Sequence, residues 1–264
     1  MPQLLNVWPS VSKQIRRASR ILLLFDYDGT LTPIVARPEL ARLAEETRDK
    51  LIKLHRQEKF LLGVISGRSL EDVAQRVGVA GLVYAGNHGL EIRGPGIDFR
   101  HPQAEGFQAS LDRLDLKLRE VLAGCSGVIM EHKGLSLTVH YRLTPEDQVP
   151  EVEGRFFAAV SLYEESGQVR ITRGKMVWEI RPNVAWDKGK TILELRRLYP
   201  EHSLVFYFGD DLTDEDGFAV VQESGGVAVF VGEARQPTRA LYRLDSPKEV
   251  GKVLDLIAQL NPAE

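Results

Sequence analysis

The amino-acid sequence predicts an α/β fold: a doubly wound parallel sheet of Rossmann-like type, with an inserted α+β domain. Three observations carry this prediction. Short apolar runs alternate with amphipathic helical stretches towards both ends of the chain. Between about Gly94 and Pro182 the order changes, and each helical stripe is followed by two strands. Acidic, serine and lysine residues stand just past the predicted strand ends, where open α/β sheets place their chemistry.

The elements follow in order. Ile21–Phe25 is a continuous apolar run, as expected of a strand buried on both faces. Leu40, Leu43, Thr47, Leu51 and Leu54 mark one helical face. Phe60–Ile65 is a second buried strand, followed by a short helix near Ser69–Val77 and a third strand at Leu82–Ala85. Phe107, Leu111, Leu114, Leu118 and Val121 then form a helical stripe, before strands near Gly127–Lys133 and Leu135–Arg142. Val149, Val152, Phe156, Ala159 and Tyr163 form a second stripe, before strands near Gln168–Thr172 and Lys175–Arg181. This αββαββ block is expected to be a small antiparallel sheet backed by two helices, spanning 101–181. It divides a core of residues 1–100 and 182–264, with Pro95, Gly96 and Pro182 at the crossings. After Asp187 the alternation resumes: helix Lys188–Leu198, strand Ser203–Phe208, helix Asp214–Gln222, strand Val227–Val231 and a last helix from about Pro247.

Composition bounds the function. With 264 residues, 43% hydrophobic and 27% charged, the chain can bury one large core or two modest ones. A net charge of −3 and scattered basic residues argue against nucleic acid or an anionic membrane as the main partner. An anionic ligand must be attracted by local groups. The longest apolar run is far too short to span a bilayer, and Met1–Arg20 does not read as a signal peptide. Cys125 stands alone, so no internal disulfide forms, which fits a reducing cytosol. A soluble, cytoplasmic monomer is expected.

Four motifs carry chemistry. Asp26 and Asp28 follow the first strand one residue apart, so both side chains stand on one side of the backbone, and Gly29 permits a sharp turn. Ser66-Gly67-Arg68 ends the second strand and opens a helix, where backbone amides attract anions; Ser66 equally suits a helix cap. Lys188 lies in the first turn of a helix, against the helix dipole, which points to a purpose such as binding phosphate or pairing with a carboxylate. Asp210, Asp211 and Asp214 crowd a strand end, where a cation such as Mg²⁺ would relieve their repulsion. Thr213 is a candidate cap of the helix that follows. Asp210 is assigned to the metal, and Asp211 or Asp214 either to ligation or to a supporting place behind it.

This constellation resembles the haloacid dehalogenase superfamily of aspartate-nucleophile phosphatases. The resemblance implies that Asp26 attacks phosphorus while Asp28 protonates the leaving alkoxide and then activates water. It also implies that Ser66, Lys188 and a Mg²⁺ ion held by the acids, Asp26 and Asp28 among them, offset phosphoryl charge.

The insert suggests a substrate. Leu135, Leu137, Val139 and Tyr141 alternate with Ser136, Thr138, His140 and Arg142. In the last strand Met176, Trp178 and Ile180 point one way, and Lys175, Val177, Glu179 and Arg181 the other, while Glu131 and Lys133 share a face of theirs. A polar face of mixed charge suits a ligand rich in hydroxyls, and equally suits plain solvation.

Asp26–Pro33 (DYDGTLTP), Ser66–Arg68 (SGR), Gly86–Glu91 (GNHGLE), Glu131–Arg142 (EHKGLSLTVHYR), Lys188-Gly189 and Gly209–Phe218 (GDDLTDEDGF) together resemble the trehalose-6-phosphate phosphatase family, from about Ile21 to Leu260. That resemblance implies a sugar phosphate as the small-molecule partner. It also implies that Glu131, Lys133, Arg142 and Glu179, with Arg68, Asn87 and His88, hold the sugar, and His140 is a further candidate. Phosphatases of sucrose, mannosylglycerate or glucosylglycerate phosphate, and a sensor that binds without hydrolysis, remain alternatives.

Overall fold

The computed structural model describes residues 1–35, 37–174, 176–233 and 237–260. In chain order the elements are α1 (Trp8–Arg17), β1 (Ile21–Phe25), α2 (Glu45–His55), β2 (Phe60–Ile65), α3 (Leu70–Val77), β3 (Val83–Gly86), β4 (Glu91–Gly94) and β5 (Ile97–Arg100). Then come α4 (Pro102–Glu105), α5 (Gln108–Val121), β6 (Ile129–His132), β7 (Leu137–His140), α6 (Val149–Glu165), β8 (Val169–Gly174) and β9 (Val177–Pro182). The chain closes with α7 (Lys188–Leu198), β10 (Leu204–Gly209), α8 (Glu215–Glu223), β11 (Val227–Val231), β12 (Tyr242–Leu244) and α9 (Pro247–Leu260). Two compact units result, one of residues 1–99 and 186–264 and the other of Arg100–Ala185.

The larger unit is built on a sheet of order β12-β11-β10-β1-β2-β3-β4-β5. The strands from β12 to β3 are parallel, and β4 pairs antiparallel with β3. Every residue of β1 is buried because both faces of the sheet are covered. Ile21, Leu23 and Phe25 pack with α1, α2, α3 and α9, while Leu22 and Leu24 pack on the other side with Ile192 and Leu195 of α7 and Phe218 and Val221 of α8. Each such fully buried large side chain contributes about 1.5–3 kcal/mol, which explains why an unbroken apolar run, and no alternation, encodes this strand. From β1 the chain winds outwards through β2 and β3, then returns to β10 on β1's other side. The sheet therefore has its topological switch point at β1 and β10, the place where a crevice opens at the carboxyl ends of parallel strands.

The smaller unit has an antiparallel sheet of order β6-β7-β9-β8. Its core joins Leu111, Leu114 and Leu118 of α5, Val152, Phe156 and Val160 of α6, and Leu137, Val139, Trp178 and Ile180 from the sheet. Trp178 stacks on Phe156 at 4.6 Å and on Tyr141 at 4.2 Å.

Several expectations are corrected. Helix α2 begins at Glu45, so Leu40 lies in a preceding short turn, half exposed, and Leu43 in extended chain; neither belongs to the helical stripe. Pro95 and Gly96 join β4 to β5 and mark no domain crossing, because an Ile92-bearing edge of the larger sheet continues past them. Met176 is an exposed turn residue with φ of 64°, outside β9, and does not share the face of Trp178 and Ile180. Lys175 lies outside the described residues. Cys125 is partly buried beside the smaller core. No helix among the described residues is long and apolar enough to cross a membrane.

Candidate active site

Asp26, directly after β1, has its amide bonded to the Phe208 carbonyl of β10 at 2.8 Å, which fixes it at the switch point. Its carboxylate meets the Lys188 ammonium at 2.7 Å. Lys188 opens α7, whose cap is Asp187, accepting from the Lys190 amide at 2.8 Å. The lysine side chain is 3% exposed, so it is no solvated surface group. Its second partner is Asp214 Oδ1 at 2.6 Å. A cation buried between two carboxylates explains why lysine is tolerated at a helix start: the ion pairs outweigh the unfavourable dipole.

Asp214 is completely buried and fully engaged. Oδ1 accepts from Lys188 and from the hydroxyl of Tyr207, while Oδ2 accepts the amides of Asp210 at 3.0 Å and Asp211 at 3.1 Å. Gly209 makes this possible, since a Cβ there would stand 2.4 Å from the Asp214 carboxyl carbon. Asp211, and not Thr213, caps the short turn Leu212–Asp214, in a reciprocal capping box with Asp214. Asp210 presses its carboxylate against Gly29, whose φ of 88° and missing side chain are both required: a Cβ would lie 2.1 Å from Asp210 Oδ2.

Electrostatics follow from this burial. Desolvation raises the Asp26 carboxyl, Asp214 and Asp28 add to the rise, and Lys188 opposes it, leaving a pKa of about 7. Burial alone would lower Lys188, but the charges of Asp214 and Asp26 outweigh it and hold the ammonium above its ordinary range. Burial, with Asp214 and Asp26, raises the Tyr207 phenol well above its ordinary value, so it serves as a donor.

Asp26, Asp210 and Asp214 each offer a carboxylate oxygen within 4.8 Å of one another. The donor chemistry fits a hard divalent cation, and burial of Asp26 beside further acids gives such a cation a reason to bind. Because four hydrogen bonds occupy Asp214, Asp26 and Asp210 are the residues able to hold it, with Asp214 fixing Lys188 behind them. Asp28 and Asp211 lie outside the trio. Asp28 instead accepts two hydrogen bonds from Arg68, at 2.7 and 2.8 Å.

Ser66 is buried after β2, and its hydroxyl accepts from the Arg68 amide at 3.2 Å; the cap of α3 is Ser69, not Ser66. Asn87 and His88 follow β3 with positive φ of 50° and 58°, a conformation few non-glycine residues adopt. The Asn87 amide bonds the Arg68 carbonyl at 2.7 Å and the His88 amide the Ser66 carbonyl at 2.9 Å, so these two loops form one rim. The Thr30 hydroxyl is buried without a hydrogen-bond partner among the described residues, as befits a group that awaits a polar ligand.

In the smaller unit, Glu131 and Glu179 flank Thr138 in register. His140 lies 3.4 Å from Glu131, and Lys133 3.6 Å from Glu179. These four predicted residues share one polar region of the sheet. Arg142 is exposed beyond the end of β7. Tyr207 escaped sequence reasoning because it lies in an apolar run, although a tyrosine on a buried strand must satisfy its hydroxyl somewhere. Asp72, which holds Arg68 at 2.8 Å, also escaped; its signal was the four-residue helical spacing from an arginine.

Comparison with known proteins follows this geometry. The model of the family described as trehalose-phosphatase matches residues 24–248. Trehalose-phosphate phosphatases of Mycobacterium bovis and Mycobacterium tuberculosis are 40% identical over 246 residues, or 90% of this chain. The chain spans 61% of those relatives' length. Among solved structures, the C-terminal domain of Candida albicans trehalose-6-phosphate phosphatase superposes with a TM-score of 0.83 at 26% identity, covering 98% of this chain and 99% of that one. A haloacid dehalogenase-like hydrolase from Bacteroides thetaiotaomicron, 17% identical, shares the fold with a TM-score of 0.62 over 92% of this chain and all of that one. With a match that runs from within β1 into the start of α9, the chain belongs to the trehalose-phosphatase family.

Proposed function

We propose that this protein is a magnesium-dependent phosphatase that hydrolyses trehalose 6-phosphate through an aspartyl-phosphate intermediate. One observation carries the reading: a fully buried lysine binds both Asp26 and Asp214 at the switch point, beside Asp28 and Asp210. Such a lysine opposes the protonation of Asp26 that burial favours, orients it as a nucleophile and offers positive charge to phosphoryl oxygens. A Asp26 oxygen attacks phosphorus as the bond to the sugar oxygen breaks, and Asp28 gives its proton to that oxygen. Water then attacks the phosphorus, Asp28 takes the water's proton, and the bond to Asp26 breaks to release phosphate. Held by Asp26 and Asp210, Mg²⁺ would offset charge on the transferring group. Ser66 and the Thr30 hydroxyl are suited to donate to phosphate.

For the sugar, the family resemblance supports Asn87 and His88 from the core, with Glu131, Lys133, His140, Arg142 and Glu179 from the insert at 101–181. Their alternating donors and acceptors suit hydroxyl recognition. A cytoplasmic monomer is proposed on composition and the lone cysteine.

The test is phosphate release from a panel comprising trehalose 6-phosphate and the phosphates of sucrose, mannosylglycerate and glucosylglycerate, with and without EDTA. Trehalose 6-phosphate should be turned over best, and chelation should stop the reaction. Faster turnover of another sugar phosphate would overturn the specificity; turnover of none would leave a sensor.

A further inference from the structure

We propose that Arg68 is the positioning residue of the Asp28 acid–base carboxylate and contributes no direct contact to the sugar. The proposal rests on the function proposed above. Arg68 Nε donates to Asp28 Oδ2 at 2.7 Å and Nη2 to Asp28 Oδ1 at 2.8 Å, a two-pronged pairing that fixes the plane of the carboxylate. The Asp28 side chain is 41% exposed, so without the fork it would sample several rotamers.

The guanidinium is itself rigidly mounted. Nη1 donates to Asp72 Oδ2 at 2.8 Å and Nη2 to the Pro38 carbonyl at 2.8 Å, while the group lies 5.3 Å from the centre of the Tyr27 ring. Asp72 is held in turn by Arg76 Nε, 2.8 Å from each of its oxygens. Four of the five Arg68 N–H groups are thereby committed within the protein, and the side chain is 5% exposed. A sugar ligand needs donors turned to open space, and this residue has one N–H left to give. Each Asp28 oxygen takes one guanidinium bond. One oxygen can therefore leave Nε for the departing sugar oxygen while the other stays on Nη2.

The experiment compares R68Q and R68K with wild type on trehalose 6-phosphate and on p-nitrophenyl phosphate, whose leaving group departs without a proton. With Asp28 misaligned, R68Q should lose about 100-fold in single-turnover release of the sugar, with KM little changed, while single-turnover release of p-nitrophenol, which needs no proton from Asp28, falls far less. The later hydrolysis of the phosphoenzyme uses Asp28 for both substrates and slows alike. R68K keeps the charge but not the fork, and should fall between. Adding R68Q to D28N should cost nothing further, because both changes remove one function. A raised KM with unchanged kcat would assign Arg68 to the sugar and overturn the proposal. Equal losses of single-turnover leaving-group release on both substrates, or losses that multiply in the double variant, would overturn it too. Should R68Q not fold, R68K is judged by the same ratio of the two substrates. If wild type prefers another sugar phosphate, the substrate reading fails and the ratio is taken on that compound. If wild type hydrolyses trehalose 6-phosphate but the ratio does not change, only the Arg68 proposal fails.

Discussion

Asp214→Asn is nearly isosteric, yet it should destabilise the larger unit strongly. Asp214 offers only acceptors: Oδ1 to Lys188 and Tyr207, Oδ2 to two backbone amides. An amide must turn its NH₂ towards one of these pairs, which strands two buried donors against a third. At about 1–3 kcal/mol for each unsatisfied buried donor, the loss is ~2–6 kcal/mol. Relief of the repulsion between Asp214 and Asp26 offsets a part, since each carboxylate feels the other. A net loss of roughly 2–4 kcal/mol should lower Tm by about 5–15 °C in a protein of this size. Calorimetry in EDTA is the assay, because chelation removes metal-linked stabilisation from both proteins. A Tm within ~2 °C of wild type would show that the four hydrogen bonds do not hold this centre together, and would refute the reasoning.

Other outcomes follow from the same geometry. Gly29→Ala places a Cβ 2.1 Å from Asp210 Oδ2 at φ of 88°, so the magnesium concentration for half-maximal activity should rise about tenfold or more; an unchanged magnesium titration would separate Asp210 from the metal. Burial works against the Asp72 carboxylate, but hydrogen bonds from Arg76 and Arg68 outweigh it and hold its pKa below the usual range. Its stabilisation is thus fully present above the unfolded value of about 3.9 and lost as pH falls through the lower folded value. Urea denaturation of wild type and Asp72→Asn should therefore differ by a constant amount above pH ~5 and draw together only as pH falls below about 3.9 and through the lower folded value; a difference that grows on acidification would contradict this.

Much of this arrangement was legible in the sequence, and for identifiable reasons. Strands β1, β2 and β11 declare themselves because burial on both faces demands unbroken apolar runs. Lys188 stood out because a lysine in the first turn of a helix opposes the dipole and needs a compensating partner. Strands β4, β5 and β12 were not legible: they are three or four residues long, at or near the sheet edges, and partly exposed, so pairing rather than composition defines them. The partners of Arg68 were equally hidden. Its motif suggests a ligand-binding loop, whereas Asp28, Asp72 and Pro38 surround it only once the chain is folded. Likewise Asp and Thr both cap helices, so residue type does not choose between Asp211 and Thr213; Asp211 prevails because Asp214 reciprocates.

Trapping the covalent intermediate tests the central claim most directly. Borohydride added during turnover of trehalose 6-phosphate reduces an acyl phosphate, so peptide mass spectrometry should find homoserine at position 26 and at no other acidic position. Full turnover with an unmodified Asp26 peptide would contradict the account.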